Sequence, residues 1–427
     1  METLHTLGHE VDGIFGINVP ANKSLRQATF FHYYQRLPDL PLLKARSVRS
    51  ASRTKRVVRA WRNGRDYLRA FVAHRSREVP RDSDVLTNDG VNVIPAFDRI
   101  FTTDRLFDDA MFVFARTGRF STFRVPNPPE IMHWTYPVPV KLAGSRNIYT
   151  LHDLVPLKLP YTTLDDKTLY GSLISGCLKH AAQICTVSEA SKCDIIDRYD
   201  VDATKVTNTY QTATVAQRLL DKNVDQNAQD IESIFGLERR GYFLFFGAIE
   251  PKKNIGRLIE AFLSLRTKTP LVIVGARAWQ SERELQLMPG GGASGAAGTF
   301  VGPRDQTIIR IDYLSRVMLA KLTRGAKAVV FPSLYEGFGL PVLEAMQLGT
   351  PVITSNTSSL PEVAGGAGLL VDPYDVDSLV KAMRRLDRDE ALCAAMAARG
   401  LEQARLFSRE RYGERLTELY RAAMASQ

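Results

Sequence analysis

The sequence predicts an α/β protein of two domains, each organised around a parallel sheet, and three observations carry that prediction. The chain has 427 residues, beyond the size at which a single hydrophobic core stops growing, so two domains of roughly 200 residues are expected. From about Glu130 onward, short apolar runs alternate with longer helix-like segments, the pattern of repeated β-α units. Between Thr209 and Gly236 the chain turns polar, with VDQNAQD in the middle, before a fresh apolar run begins at Tyr242. The division is therefore expected at residues 1–208 and 209–405, with 406–427 as a C-terminal helix packing back towards the first domain. A crevice between such domains is where a ligand is expected.

Taken in order, the beginning is unusual: LGHEVDGIFGI (7–17) reads as the end of a helix, a turn at Gly8 and then a strand. On this reading the usual first strand would precede Met1, so either a truncated chain or a differently started sheet is expected. Strands follow at EIMHWTY (130–136), NIYTLHD (147–153), QICTVS (183–188), YFLFFGAI (242–249), PLVIVGA (270–276), AKAVVFPS (326–333) and PVITSN (351–356). Helices are expected between them, as at Asn254–Leu265 and Leu343–Leu348. PGGGASGAAG (289–298) is too rich in glycine to pack and reads as a flexible loop inserted in the second domain. The chain shows no internal repeat and no heptad run.

The composition, 44% hydrophobic and 24% charged, is that of a globular protein and excludes wholesale disorder, collagen and coiled coil. No run of about 18 apolar residues occurs and Met1 is followed by a mixed polar stretch, which predicts a cytoplasmic protein. The four cysteines, Cys177, Cys185, Cys193 and Cys393, lack the close pairs of zinc or redox motifs and read as reduced thiols. The net charge is +10, with much of the excess between Arg36 and Arg81. Within the basic stretch 44–81, Val57, Trp61, Leu68, Phe71 and Val72 fall near helical spacing with arginines between them. Such an amphipathic helix suits an anionic membrane surface or an acidic acceptor, or equally packs on its own domain. No nucleic-acid module accompanies it, so nucleic acid is not an expected partner.

The sharpest chemical signal is PSLYEGFGLPVLEAMQLGTPVITSN (332–356). A strand ending near Ser333 delivers Glu336, then a GFGLP loop, then a helix carrying Glu344. Gly337 and Gly339 permit close approach and positive φ, and Pro341 suits the first turn of the helix. Amides at such a helix start face a diphosphate or sugar hydroxyls, helped by the helix dipole. His152 and Asp153 end a predicted strand, where ligands of parallel sheets bind.

This stretch resembles the donor-site signature of glycosyltransferase family 4, and IYTLHDLVPLKLP (148–160), ICTVSEASKCDII (184–196), FFGAIEPKKNIGRLIEAF (245–262) and LPEVAGGAGLLVDPYDVDSLVKAM (360–383) are similar to that family in its usual order. The resemblance runs from about Glu130 to the C-terminus and weakens over the first 90 residues. It implies the GT-B fold, two facing Rossmann-like domains with an interdomain cleft, the first on the acceptor side and the second binding a nucleotide sugar. It also implies that Glu336 contacts the donor sugar, that Glu344 holds the ribose, that amides around Phe338, Gly339 and Leu340 hold sugar and distal phosphate, and that Lys253 neutralises the diphosphate. Many members carry an arginine soon after the first glycine of the 245–262 segment; here Ala248 follows Gly247, and Lys252 is the expected second cation. His152 is implied at the reacting sugar with Asp153 orienting it. His133 and Arg277 are further donor-binding candidates, each with a plain structural alternative, and for Ser188 and Glu189 helix capping is explanation enough.

The reaction so implied retains anomeric configuration by front-face attack, the leaving phosphate helping to deprotonate the acceptor. No convincing DxD-like motif occurs, so neither a metal nor any other cofactor is expected. The IEPKKN and SSLPEV variants look like the mannosyltransferases of bacterial polysaccharide assembly. They imply GDP-mannose as donor, with UDP-sugars open, and a saccharide or lipid-linked glycan as acceptor at the inner face of the cytoplasmic membrane. The alternative is a catalytically silent nucleotide-sugar-binding or scaffold protein of the same fold; a phosphorylase-like enzyme would need a pyridoxal-phosphate lysine that is not seen.

Overall fold

A computed structural model describes residues 2–22, 25–27, 29–31, 76–80, 97–213, 224–288, 297–302 and 306–426. The amphipathic helix expected over 57–72 lies outside these residues, as does all but the end of the glycine-rich stretch 289–298. The chain divides into two compact units. One comprises Met1–Leu151, Thr168–Cys185 and Leu416–Gln427; the other comprises His152–Lys167 and Thr186–Arg415. The segments that follow the strands expected at 147–153 and 183–188 are thus grouped with the C-terminal unit, not with residues 1–208 as a simple cut predicts.

In the first unit, the opening segment forms a short helix, Glu2–Thr6, then turns at Gly8 with φ +82° and enters strand β1, Gly13–Phe15. β2 (Arg77–Glu78) and β3 (Ile100–Thr102) complete a three-stranded sheet of order β1-β3-β2, in which β1 and β3 run parallel. β4 (Ser121–Phe123) pairs in parallel with β6 (Val140–Leu142), while β5 (Ile131–Trp134), β7 (Arg146–Thr150) and β8 (Gln183–Thr186) lie side by side in parallel. β7 is buried along Asn147–Thr150 without alternation, as in a parallel strand covered on both faces. The last turns of the C-terminal helix, Arg409–Ala425, belong to this unit: Ser426 donates to the Ala182 carbonyl, and Tyr420 lies 3.1 Å from His133 Nδ1.

β9 (Val206–Asn208) is the last strand in the order β5-β7-β8-β9, and the second unit holds a separate seven-stranded sheet. Its strands are β10 (Phe243–Phe246), β11 (Leu271–Val274), β12 (Gly298–Val301), β13 (Thr307–Ile311), β14 (Ala328–Phe331), β15 (Val352–Ser355) and β16 (Leu369–Val371). The order is β12-β13-β11-β10-β14-β15-β16, parallel throughout except for the antiparallel edge strand β12. From β13 to β16 this is the doubly wound order in which the winding reverses between β10 and β14. Each central strand is buried over its full length, and the rings of Phe245 and Phe331 stack at 5.9 Å across β10 and β14. Helix Ile255–Leu265 buries Ile255, Leu258, Ile259, Phe262 and Leu265, the i, i+3, i+4, i+7 stripe that a helix covering a sheet requires.

All seven strands expected from the sequence are present. The loop expected over 289–298 is corrected at one point: Gly298 opens β12 rather than ending a loop. The helix expected from Leu343 starts three residues earlier, at Leu340, because Pro341 occupies its first turn, where a missing N–H costs nothing. Asn254 is not helical; it precedes the helix in the left-handed conformation, φ +61°.

Candidate active site

The reversal between β10 and β14 brings the loops at their carboxyl ends together, and these loops carry the predicted residues. β10 leads through Gly247 and Ile249 into a 3₁₀ turn, Pro251–Lys253. β14 leads through Ser333 into Glu336, Gly337, Phe338 and Gly339 and then into helix Leu340–Gln347. The two loops are stitched by backbone, the Leu334 N–H donating to the Lys252 carbonyl at 2.8 Å. Asn254 strengthens the stitch: its buried side-chain amide donates to the Pro332 carbonyl at 3.0 Å and to the Pro373 carbonyl at 2.7 Å. A short polar side chain that tolerates positive φ is what this corner needs.

Lys253 Nζ lies 2.6 Å from Glu336 Oε1 and 4.9 Å from the centre of the Phe331 ring. Lys252 Nζ is 3.6 Å from Glu250. Burial pushes the Glu336 carboxyl up, but Lys253 and Lys252, with hydrogen bonds from Lys253 and Ser333, bring it net below its usual value, so it is a carboxylate at neutral pH. Burial lowers Lys252, yet Glu336, Glu250 and Asp153 together hold it above the usual lysine value. Asp153 behaves oppositely: burial dominates and raises it, against the Val155 N–H and Lys252, which lower it. Two carboxyls in one cluster are thus pushed apart in acidity by their surroundings.

The donor loop is held from the far side by the SSLPEV segment. Ser358 Oγ accepts from the Glu336 N–H at 3.0 Å, and Ser359 Oγ donates to the carbonyls of Glu336 and Phe338 at 3.0 and 2.7 Å. The two loop glycines have different duties. Gly339 has φ +106° and precedes the helix, as expected. Gly337 is not in the left-handed region; a Cβ there would meet the His152 carbonyl oxygen at 2.7 Å and Asp153 Oδ2 at 3.1 Å. At Gly337 the close approach is thus to the backbone of the His152 segment, where the sequence predicts a ligand and a positive φ. The Phe338 side chain is buried, its ring packed against Tyr210 and Phe407. Glu344 sits one turn into the helix, raised by burial against a smaller lowering by Arg316.

His152 and Asp153 follow β7 and belong to the same unit as Glu336. Asp153 Oδ1 accepts from the Val155 N–H at 2.9 Å, fixing the turn, and Gln211 Nε2 is 3.5 Å from His152 Nδ1. Arg277 forms a β-bridge with Ile249, which sets it beside the strand end leading into the lysine turn. His133 belongs to the first unit, with Nε2 2.8 Å from Thr150 Oγ1 and Nδ1 3.1 Å from the Tyr420 hydroxyl. Those contacts make it a bridge between β5, β7 and the C-terminal helix. Ser188 caps helix Glu189–Tyr199 by accepting from the Ser191 N–H, as read from the sequence. Sequence reasoning missed Asn254, Ser191, Ser359 and Glu362; for Asn254 alone a local signal existed, an asparagine between a lysine pair and an apolar helical stripe.

Comparison with known proteins agrees with this geometry. The family described as "Glycosyl transferases group 1" matches residues 240–389, which hold β10, β14, both lysines and the donor loop. O-antigen chain mannosyltransferase B of Escherichia coli is 33% identical over 270 residues, covering 62% of this chain and 67% of that protein. The serotype-specific mannosyltransferase WbdA of Escherichia coli is 29% identical over 283 residues; the match covers 64% of this chain and only 33% of that longer relative. Among solved structures, the sucrose-phosphate synthase of Thermosynechococcus elongatus superposes with a TM-score of 0.59 at 19% identity, covering 98% of this chain and all of that one. The chain belongs to the group 1 glycosyltransferase family, with the GT-B fold, and is a glycosyltransferase.

Proposed function

We propose that this glycosyltransferase moves mannose from GDP-mannose to a saccharide or lipid-linked glycan during assembly of a bacterial surface polysaccharide, with retention of configuration. One observation carries the reading: Lys252, Lys253 and Glu336 converge where the sheet's winding reverses, beside a helix start with free amides. The mannose and polysaccharide assignments rest on the names of the O-antigen relatives.

The hard step is departure of a nucleoside diphosphate from the sugar. Charge accumulates on the leaving phosphate, and preorganised cations and amide dipoles act most strongly there. Lys253 and Lys252 serve as the cations, and the amides of Phe338, Gly339 and Leu340 bind phosphate and sugar at the positive end of helix Leu340–Gln347. Glu336 holds sugar hydroxyls, Glu344 the ribose, and His152 the reacting sugar, with Asp153 fixing its turn. As the anomeric C–O bond to phosphate breaks, the acceptor oxygen bonds to the same face. Its proton passes to the departing phosphate oxygen, so no protein nucleophile is consumed. No divalent cation is required in this scheme, and full activity is expected in chelator. The basic stretch 44–81 is assigned to an anionic membrane surface that carries the acceptor, which implies work at the inner face of the cytoplasmic membrane.

The test is turnover of a panel of nucleotide sugars, GDP-mannose first, with membrane-extracted acceptors, comparing the native chain with Glu336→Ala. Release of GDP with mannose found in the acceptor, lost in the variant, is expected. Turnover of a UDP-sugar alone overturns the donor assignment, and nucleotide binding without release or transfer across all acceptors overturns the catalytic one.

A further inference from the structure

Two loops of the second unit must keep a fixed mutual position for the proposed chemistry, the segment from His152 to Lys158 and the segment from Tyr335 to Gly339. Their contact is intimate, since the Gly337 Cα leaves no room for a Cβ against the His152 carbonyl. One helix, Glu189–Tyr199, reaches both. The hydroxyl of Ser191 donates to the His152 carbonyl at 2.9 Å, with the Gly337 carbonyl at 3.4 Å. Three residues on, Asp194 accepts from the Tyr335 hydroxyl through one oxygen and pairs with Lys158 through the other. Residues at i and i+3 share a helix face, so one face carries two bridges of the same kind, each spanning the same two segments.

The helix is itself anchored to the donor side. Its first two N–H groups, of Glu189 and Ala190, donate to the two carboxylate oxygens of Glu362, each at 3.0 Å. Glu362 follows Ser359, whose hydroxyl holds the Glu336 and Phe338 carbonyls. Within the helix start the hydroxyls are ordered in a directional chain: the Ser191 N–H donates to Ser188 Oγ, and the Ser188 hydroxyl lies 2.9 Å from Ser191 Oγ, which leaves the Ser191 proton for the His152 carbonyl. Ser188 and Ser191 are both fully buried, so no water competes for these bonds and the proton has few alternative partners.

We propose that Ser191 and Asp194 are positioning residues of the transfer reaction, holding the His152 segment in register with the Glu336 loop. The proposal rests on the glycosyl-transfer reading for its kinetic consequence. Displacements of an ångström at a reacting centre cost on the order of a hundredfold in rate, so the loss expected on cutting these bridges falls on kcat, while the lysines and helix amides that would hold the nucleotide stay in place.

The experiment compares Ser191→Ala, Asp194→Ala, Asp194→Asn and Asp389→Ala in the full chain. Three quantities are measured: kcat and KM with whichever nucleotide sugar the native protein turns over, binding of the free nucleoside diphosphate by calorimetry, and hydrogen exchange of the amides at 152–158 and 335–340. Ser191→Ala and Asp194→Ala are expected to lower kcat about 10–100-fold, to leave nucleotide affinity within about threefold, and to speed exchange in both loops. Asp194→Asn, which keeps an acceptor for Tyr335, is expected to recover part of kcat. Asp389→Ala removes the cap of helix Glu390–Arg405, an acceptor for the Leu392 N–H that touches neither loop; it is expected to lower thermal stability with kcat and loop exchange near native. Unchanged kcat in Ser191→Ala, or equal losses of kcat in Asp389→Ala and Ser191→Ala, overturns the proposal. If the native chain turns over no donor, the transfer reading has failed separately, and hydrogen exchange still decides whether the two loops are held by Ser191 and Asp194.

Discussion

The Lys253 ammonium sits 2.6 Å from Glu336 Oε1, with both side chains about nine-tenths buried. Removing one partner of a buried pair leaves the other charge uncompensated, which costs about 3–5 kcal/mol. Lys253→Met is therefore expected to lower the unfolding midpoint strongly and to weaken nucleotide binding, both visible by thermal shift with and without GDP. A stable variant with native GDP affinity would refute the role given to the pair.

The same pair sets an acid limit. Glu336 titrates lower in the folded protein than its usual 4.5, so its contribution to stability is present above the unfolded value and is lost as pH falls through the folded one. In Lys253→Met burial acts with less opposition and the carboxyl rises. The acid limb of stability is expected to shift to higher pH in the variant, measured by denaturation at stepped pH.

Asp153 has the opposite sign. Its folded value lies above the usual 3.8 because of burial, so its contribution is fully present below the unfolded value and is lost as pH rises through the folded one. Asp153→Asn keeps an acceptor for the Val155 N–H and escapes that loss. Its midpoint relative to the native protein is expected to climb as pH rises above the usual carboxylate range, while transfer activity falls. A difference independent of pH would show that Asp153 is not destabilised by its surroundings.

Gly337→Ala places a methyl 2.7 Å from a backbone carbonyl, whereas Gly366 has open space around it. Since the carbonyl belongs to His152, relief requires the two loops to part. Gly337→Ala is expected to lose about a hundredfold in kcat, and Gly366→Ala to stay within about 0.5 kcal/mol of native stability with normal turnover. Similar kinetics for both would mean that the loops tolerate separation.

His133 provides a contrast with His152. Its two nitrogens serve Thr150 and Tyr420 within the first unit, so His133→Ala is expected to destabilise by about 1–3 kcal/mol. GDP affinity, read by calorimetry, is expected to change by less than about threefold; a larger loss would return His133 to the donor-binding set.

Much of the second unit was legible because its central strands are buried on both faces and so appear as continuous apolar runs, as in FLFF and AVVF. β13 was not read as a strand: TIIRI alternates in burial and carries Arg310, which is itself buried, so the run looks interrupted. β16 is three residues long and only partly buried. The site was legible where chemistry demands unusual residues in fixed order, as with Lys252, Lys253, Glu336 and the glycines. Ser191, Asp194 and Glu362 were not, because nothing local marks a serine or acid as a bridge. Their partners lie up to 173 residues away in sequence, and only the fold brings them within reach.

The first unit draws on three separate stretches of chain, the last of them Leu416–Gln427. The ribosome releases residues in order, so the early strands emerge while the residues that complete their unit, Tyr420 beside His133 and Ser426 beside Ala182, are still unmade. The second unit, His152–Lys167 and Thr186–Arg415, is entirely synthesised before that closing segment. Although domains generally mature from the N-terminus during translation, here the first unit cannot be completed until Leu416–Gln427 has been made, after every residue of the second unit.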